Sequence, residues 1–327
     1  LKYLNLSRNP FIFGSILLVT NLKSLTNLRK LNVSYTNFNN QCLDIIASDL
    51  TNLEYLDISC TRVSDLAPLT QLRDKLKSLF MYNLRASISD DIINVICSLS
   101  RLQQLDVSRD ISTRIFADIS ESNYNVNLFL DELADKKLVE LKYLDISGKT
   151  DIQEDALMNF IDTHPKLKFL GLALTNANSF DLFTRPLIYS FQQVHQPSNG
   201  DTLAAATPAT LHSSSSTPSL SSLSSIQKIS ITNLSTLRCN LSNLNLNQHL
   251  WKRVSGDLIV TGESTEQQII ASLKHYKSRQ VYVQRALIQL FTMTKHLEET
   301  RLDLIQLIVE IIQTNVKSLN VILAAST

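Results

Sequence analysis

Seven times between Leu1 and Ala173 the chain repeats one phrase, with apolar residues at its first, fourth and sixth places and polar or aromatic residues between them. Leu53-Glu-Tyr-Leu-Asp-Ile-Ser59 is one copy; Leu1 to Ser7, Leu28 to Ser34, Leu76 to Tyr82, Leu102 to Ser108, Leu141 to Ser147 and Leu167 to Ala173 are the others. The form L-x-x-L-x-L marks the strand of a leucine-rich repeat. The first leucines, Leu1, Leu28, Leu53, Leu76, Leu102, Leu141 and Leu167, are spaced by 27, 25, 23, 26, 39 and 26 residues. The 39-residue interval predicts an insertion between Arg109 and Glu140, built from Asp110 to Phe116 and Tyr124 to Asp135.

Side chains alternate along a strand, so the first, fourth and sixth places face the core and the third, fifth and seventh face the other way. Stacked strands turn the outward places into ladders on a concave surface. The third places read Tyr3, Lys30, Tyr55, Ser78, Gln104, Tyr143, Phe169; the fifth places read Asn5, Asn32, Asp57, Phe80, Asp106, Asp145, Gly171. Exposed aromatics are favoured interface anchors, so Tyr55, Phe80, Tyr82, Tyr143 and Phe169 are the candidate partner-binding residues. The competing expectation is that these rings stack on one another and only cover the strands. The ninth place holds Asn9, Thr36, Thr61 and Thr175, whose side chains can serve the backbone of the turn. Return segments carry apolar residues at helical spacing, i, i+3, i+4 and i+7 in Leu43, Ile46, Ala47 and Leu50 and i, i+1, i+4 and i+5 in Ala156, Leu157, Phe160 and Ile161, and predict helices on the convex side.

The pattern then changes twice. From His195 to Ser225 serine and threonine crowd out core-forming residues, a composition that cannot offset the entropy of ordering. Near Thr261 a helical period begins. Ser264-Thr-Glu-Gln267 reads as a capping box, followed by Ile269, Ile270, Leu273 and Tyr276. Two further helices are predicted, from about Val281 to His296 and from about Leu302 to Gln313. In the first of these Val283, Ala286, Leu287, Leu290 and Phe291 face inward; in the second Leu304, Ile305, Ile308, Val309 and Ile312 are the apolar residues. A fourth starts at Leu319. Short-linked helices of this kind suit an armadillo or HEAT array. The expected divisions are 1–190 repeats, 191–227 disordered Ser/Thr-rich linker, 228–258 an ambiguous connector or one more repeat, and 259–327 the helical array. The expected fold is an α/β leucine-rich-repeat horseshoe followed by an all-α armadillo-like solenoid, with both ends truncated.

Composition narrows the chemistry. A net charge of +1, with no Lys/Arg run, gives no general attraction to nucleic acid or to an anionic membrane. Cys42, Cys60, Cys97 and Cys239 form no C-x-x-C, and a reducing compartment, cytoplasmic or nuclear, fits them. Nucleophile-elbow, zinc-helix, phosphate-loop and dinucleotide motifs do not occur. The expectation is therefore no enzyme, no cofactor and no metal. Asp57, Asp106 and Asp145 share one ladder, but Phe80 interrupts them and Asp is common at that strand position.

Val260-Thr-Gly-Glu-Ser-Thr-Glu-Gln-Gln-Ile-Ile, Tyr276-Lys-Ser-Arg279, Tyr282-Val-Gln-Arg-Ala-Leu287 and Leu290-Phe-Thr292 resemble the start of the armadillo domain of the Zyg eleven / Zer one family. That family also sets leucine-rich repeats directly before an armadillo array. The resemblance implies a non-catalytic substrate-recognition subunit of a cullin-RING ubiquitin ligase. It implies partnership with elongin and a cullin through elements outside this chain, and reading of substrates that begin with glycine. The degron pocket of the family is expected in later armadillo repeats, so none of its residues is carried onto a position here. The alternative is a leucine-rich-repeat interaction scaffold unrelated to ubiquitin.

Overall fold

The computed structural model describes residues 1–14, 16–84, 89–110, 126–136, 138–184, 256–295 and 301–326. The Ser/Thr-rich stretch 191–227, residues 228–255 of the connector and the Asp110–Phe116 part of the predicted insertion, apart from Asp110 itself, lie outside these residues.

Each repeat phrase forms a short strand. These are β1 (Tyr3–Asn5), β2 (Lys30–Asn32), β3 (Tyr55–Asp57), β4 (Ser78–Phe80), β5 (Gln104–Asp106), β6 (Tyr143–Asp145) and β7 (Phe169–Gly171). They pair in parallel and in sequence order, with equal places opposite one another, as in Leu31↔Leu56 and Leu56↔Leu79. The register follows from burial. From the second copy on, every first, fourth and sixth residue is at most 4% exposed, and a one-residue slip would turn all of them to the other face.

The return segments lie on the convex side. They are α1 (Ile16–Leu22), α2 (Asn40–Asp49), α3 (Asp90–Ser98), α4 (Val126–Lys136) and α5 (Glu154–Thr163). Leu43, Ile46 and Ala47 of α2, and Ala156, Leu157, Phe160 and Ile161 of α5, fill the core as their spacing predicts. The 23-residue interval has no α-helix; a 3-10 turn over Ala67–Leu72, with Pro68 in its first turn, replaces it. Val126, Phe129, Leu130 and Leu133 of α4 are buried against the core. The Tyr124–Asp135 portion of the predicted insertion is thus largely the return helix of its repeat, and the surplus length falls in residues 111–125.

The turn after six of the seven repeat strands is built the same way. The eighth residue takes the left-handed conformation at Arg8, Tyr35, Cys60, Asn83, Gly148 and Leu174, with φ between 51 and 76°. The ninth-place threonines close the turn as expected: the hydroxyls of Thr36, Thr61 and Thr175 donate to the carbonyls of Val33, Ile58 and Leu172 at 2.6, 2.7 and 2.7 Å.

An eighth strand, β8 (Ile259–Thr261), pairs with β7. Residue 259, where the helical array was expected to start, therefore belongs to the sheet. Beyond β8 the sheet ends in side chains. In the interior, the N–H of each sixth and eighth residue donates to a carbonyl of the next repeat, as Ile146 does to Gly171 and Gly148 to Ala173. At the last repeat the Thr261 hydroxyl takes the Leu172 N–H at 3.1 Å, and the Glu263 carboxylate takes the Leu174 N–H at 2.8 Å. Two side chains thus satisfy the donors that backbone carbonyls of the β8 segment would serve if the interior pattern continued.

Four helices follow: α7 (Glu266–His275), α8 (Gln280–Thr294), α9 (Leu302–Thr314) and α10 (Leu319–Ser326), with the short α6 (Asp181–Thr184) preceding β8. The capping box of α7 sits one residue later than its sequence reading. Thr265, not Ser264, is the N-cap, and Gln268 closes the box. The reason is that Ser264 is engaged elsewhere, its hydroxyl donating to Asn178 of the horseshoe, where Gln268 Nε2 also bonds the Asn178 carbonyl at 3.0 Å. Phe291, expected inside α8, is 46% exposed. In α9 the buried line is Leu304, Leu307 and Ile311, while Ile305 and Val309 are exposed. That helix is apolar on nearly every side, so its period alone does not select the packed face.

Candidate partner-binding site

The fifth-place ladder shows why Asn and Asp recur there. Asn5, Asn32, Asp57, Asp106 and Asp145 each turn Oδ1 to the backbone N–H two residues on, at 2.9–3.0 Å, which holds the chain as it leaves the strand. Amide and carboxylate serve this purpose equally. The negative charge at three of the five places is therefore not required by the turn.

Two of those charges are used within the chain. Arg279, in the link between α7 and α8, reaches down onto the concave face. Its guanidinium pairs with Asp106 through Nη2 and with Asp145 through Nη1 at 3.2 Å, and Nη1 also donates to Ser108 Oγ at 2.8 Å. Both carboxylate side chains are 0% exposed. Tyrosines surround the cation, with Tyr82 at 4.2 Å, Tyr276 at 5.2 Å and Tyr282 at 5.9 Å from ring centre to guanidinium carbon. The tyrosine hydroxyls complete the contact. Tyr276 donates to Asp145 Oδ2 at 3.0 Å and shares a bond with Ser147 Oγ at 2.8 Å; Tyr282 donates to the Arg109 carbonyl at 2.8 Å. Burial, and then repulsion from Asp106, push the Asp145 carboxyl up to about 6 against the pull of Arg279.

Two glycines make room for this contact. A Cβ on Gly171 would lie 2.1 Å from Asp145 Oδ1 and 2.7 Å from the Tyr276 hydroxyl. This is the one fifth place without a side chain among the seven sequence repeats, and it is where Tyr276 enters. Gly148 has φ +76°, and a Cβ there would lie 1.7 Å from the Arg109 carbonyl oxygen.

The five candidate aromatics divide into two groups. Tyr82 and Phe169 are buried, at 6% and 8% exposure. Tyr82 lies under Arg279 and beside Tyr282, and Phe169 lies between Tyr143 and His275, at 4.3 and 4.2 Å between ring centres. His275 also shares a 2.7 Å hydrogen bond with the Tyr143 hydroxyl. It keeps an exposed edge, yet burial of its ring and then the nearby Arg279 hold its pKa down to about 4. Tyr55, Phe80 and Tyr143 are half-buried and form a continuous row, with ring centres 5.2 and 6.0 Å apart. The helices of residues 266–294 thus cover the concave face over β5–β7, and the row from β3 to β4 continues outside that cover. Periodicity along the chain does not single out Arg279, Tyr276 and Tyr282 as groups of this face. Two features of the sequence point to them, a ladder of aspartates with no cation assigned to it and the glycine at its last place.

Among the described residues no group of three or more His, Cys, Asp or Glu side chains is placed to hold a metal ion. No helix among them is long and apolar enough to cross a membrane.

Known proteins resemble the horseshoe. The family described as "Zer-1-like, Leucine-rich repeats" matches residues 44–172. Protein zer-1 homolog of Homo sapiens is 40% identical over 99 residues, covering 30% of this chain and 12% of that protein. Gastrulation-defective protein 3 of Caenorhabditis elegans is 29% identical over 140 residues, covering 42% of this chain and 18% of that protein. Among solved structures, the functional domain of InlJ from Listeria monocytogenes aligns over 57% of this chain and 38% of that one, at 16% identity and a TM-score of 0.35.

Proposed function

This chain belongs, through its leucine-rich repeats, to the Zyg eleven / Zer one family, and on that premise we propose that it is part of a substrate-recognition subunit of a cullin-RING ubiquitin ligase. The observation that carries this reading is the Zer-1-like match over residues 44–172, which spans β3 to β7 of the horseshoe. The geometry is compatible with the role. A receptor must hold its substrate at a fixed position relative to the ligase, and the Arg279 contact ties the helical segment to the horseshoe through buried, charge-assisted bonds rather than a loose link. We read the helices α7 to α10 as the first repeats of an armadillo array, with 1–190 and 259–327 as the two functional units, the latter joined to the sheet through β8. Elongin and cullin bind through elements outside residues 1–327, and glycine-degron reading belongs to later armadillo repeats. The half-buried aromatics Tyr55 and Phe80, outside the cover of the helices, belong to the surface that meets a partner polypeptide, and Tyr143 lies at its boundary with His275. A cytoplasmic or nuclear location follows from this reading.

The test is recovery of partners by the tagged full-length gene product from its own cells. Co-purification of elongin and a cullin, lost in a version limited to residues 1–327, supports the proposal. Recovery of neither by the full-length protein contradicts it and leaves the interaction scaffold as the function.

A further inference from the structure

The contact made by Arg279 shows what this concave face does with a cation. An arginine sits on carboxylates of the fifth-place ladder and against the rings of neighbouring tyrosines. The same combination occurs two strands nearer the N-terminus without a cation in it. Asp57 lies at the fifth place of β3, directly opposite Phe80 in register and two residues from Tyr55 on the same face. The Tyr55 and Phe80 rings are 5.2 Å apart and inclined by 37°. Asp57 takes the Ser59 N–H at 3.0 Å, as Asn5, Asn32, Asp106 and Asp145 take theirs, and forms no ion pair with a lysine or arginine among the described residues. Arg279 acts on it electrostatically but is paired with Asp106 and Asp145, and Lys30, opposite Tyr55, is exposed and pairs with no carboxylate among the described residues. The turn does not need this charge, since Asn5 and Asn32 form it with an amide.

We infer that Asp57, Tyr55 and Phe80 form a docking position for an arginine side chain of a partner polypeptide. The guanidinium lies against the two rings and pairs with the carboxylate, as Arg279 does over Tyr82 with Asp106. Planar stacking and paired donors favour arginine over lysine at such a place. Burial raises the Asp57 carboxyl above its ordinary range, so a paired cation relieves a charge that is otherwise partly desolvated. Lys30 and Arg279 on either side oppose a broadly cationic surface and confine the attraction to a single side chain at this place. The inference rests on the reading of the concave face as the partner surface and names the chemistry that the face selects.

The experiment titrates the 327-residue protein with two blocked decapeptides of glycine and serine, one with a central arginine and one with citrulline, which keeps the shape and loses the charge. Peptide NMR line-broadening reports binding. The arginine peptide is expected to bind roughly tenfold or more tightly than its citrulline counterpart, the range for a charge-assisted bond. Asp57→Asn preserves the turn and the melting temperature and brings the arginine peptide to the citrulline level. Asp44→Asn, an exposed acid on α2, leaves the preference intact. Equal behaviour of the two peptides, whether both bind or neither does, overturns the inference. So does a preference that survives Asp57→Asn. Recovery of elongin and cullin by the full-length protein does not depend on this pocket, so failure here is separable from failure of the ligase reading.

Discussion

Replacing Arg279 by Met removes a charge and keeps much of the side-chain bulk. Asp106 and Asp145 then remain as two fully buried carboxylates with no cation. Breaking a buried pair by removing one partner costs about 3–5 kcal/mol, because a desolvated charge is left behind. Loss of the cation from the tyrosine faces is contained in that figure; each such contact is worth about 0.5–2 kcal/mol. The loss should fall on the junction, not on the repeat core, since Leu56, Leu79 and Leu105 do not depend on the helices. Hydrogen exchange resolves the two: the amides of α7 and α8 lose protection while those of β2–β4 keep it. Neutralising the carboxylates provides the control. Asp106→Asn with Asp145→Asn preserves both turns, as Asn5 and Asn32 do, and in that background Arg279→Met should cost about 1 kcal/mol or less, with the difference reported by the mutant cycle. The deficit of the single variant should also shrink between pH 7 and pH 5. Without the pull of Arg279 the folded Asp145 carboxyl binds a proton more readily than in the wild type, so acid favours the variant relative to it. A cost below about 1 kcal/mol in the wild-type background, or equal loss of protection in β2–β4 and α7–α8, refutes the reasoning.

Other perturbations test separate parts. Gly171→Ala forces Tyr276 away from Asp145 and should destabilise the junction by about 1–3 kcal/mol, as overpacking does, with faster exchange in α7 as the readout. Leu56→Ala should cost about 2–5 kcal/mol in urea unfolding and Tyr55→Ala roughly 1 kcal/mol, because one side chain fills the core and the other stacks on the open face; equal losses would mean the strand register is wrong. The pKa of His275 is held down to about 4 from 6.5 in the folded protein. Between these values the unfolded chain binds the extra proton, so stability from this group is present above about pH 6.5 and lost as the pH falls to 4. The stability advantage of the wild type over His275→Gln, measured by chemical denaturation across that range, should therefore narrow on acidification; an advantage that widens would contradict the packing of this ring.

The repeat core was legible because one rule acts on every copy. Leu31, Leu56, Leu79, Leu105, Leu144 and Leu170 recur at a spacing that only a stacked strand makes useful, and all are buried. The return helices were legible for the same reason. The face of α9 was not, since Leu302, Ile305 and Val309 are as apolar as Leu304, Leu307 and Ile311, and only the neighbouring helices choose between them. The capping box slipped by one residue because Ser264 and Thr265 both satisfy its local pattern, and the tie to Asn178 decides. The candidate site was half legible. Its aromatics were found from the ladder positions, but which of them stay open depends on Arg279, which meets Asp106 from 173 residues away. Local spacing carries no trace of such a contact. What the sequence does hold is its imprint: a glycine at the one fifth place that Tyr276 must reach.

The central claim is that the concave face is divided, with Phe169 sealed under the helices and Tyr55 open, and we propose that the partner met there is destined for degradation. A photocrosslinking residue placed at Tyr55, and separately at Phe169, in the full-length protein in cells tests it directly. At Tyr55, adducts with other polypeptides should form and accumulate when the proteasome is inhibited; at Phe169, crosslinks should stay within the chain. Equal capture from both positions, or adducts at Tyr55 that do not respond to proteasome inhibition, would contradict it.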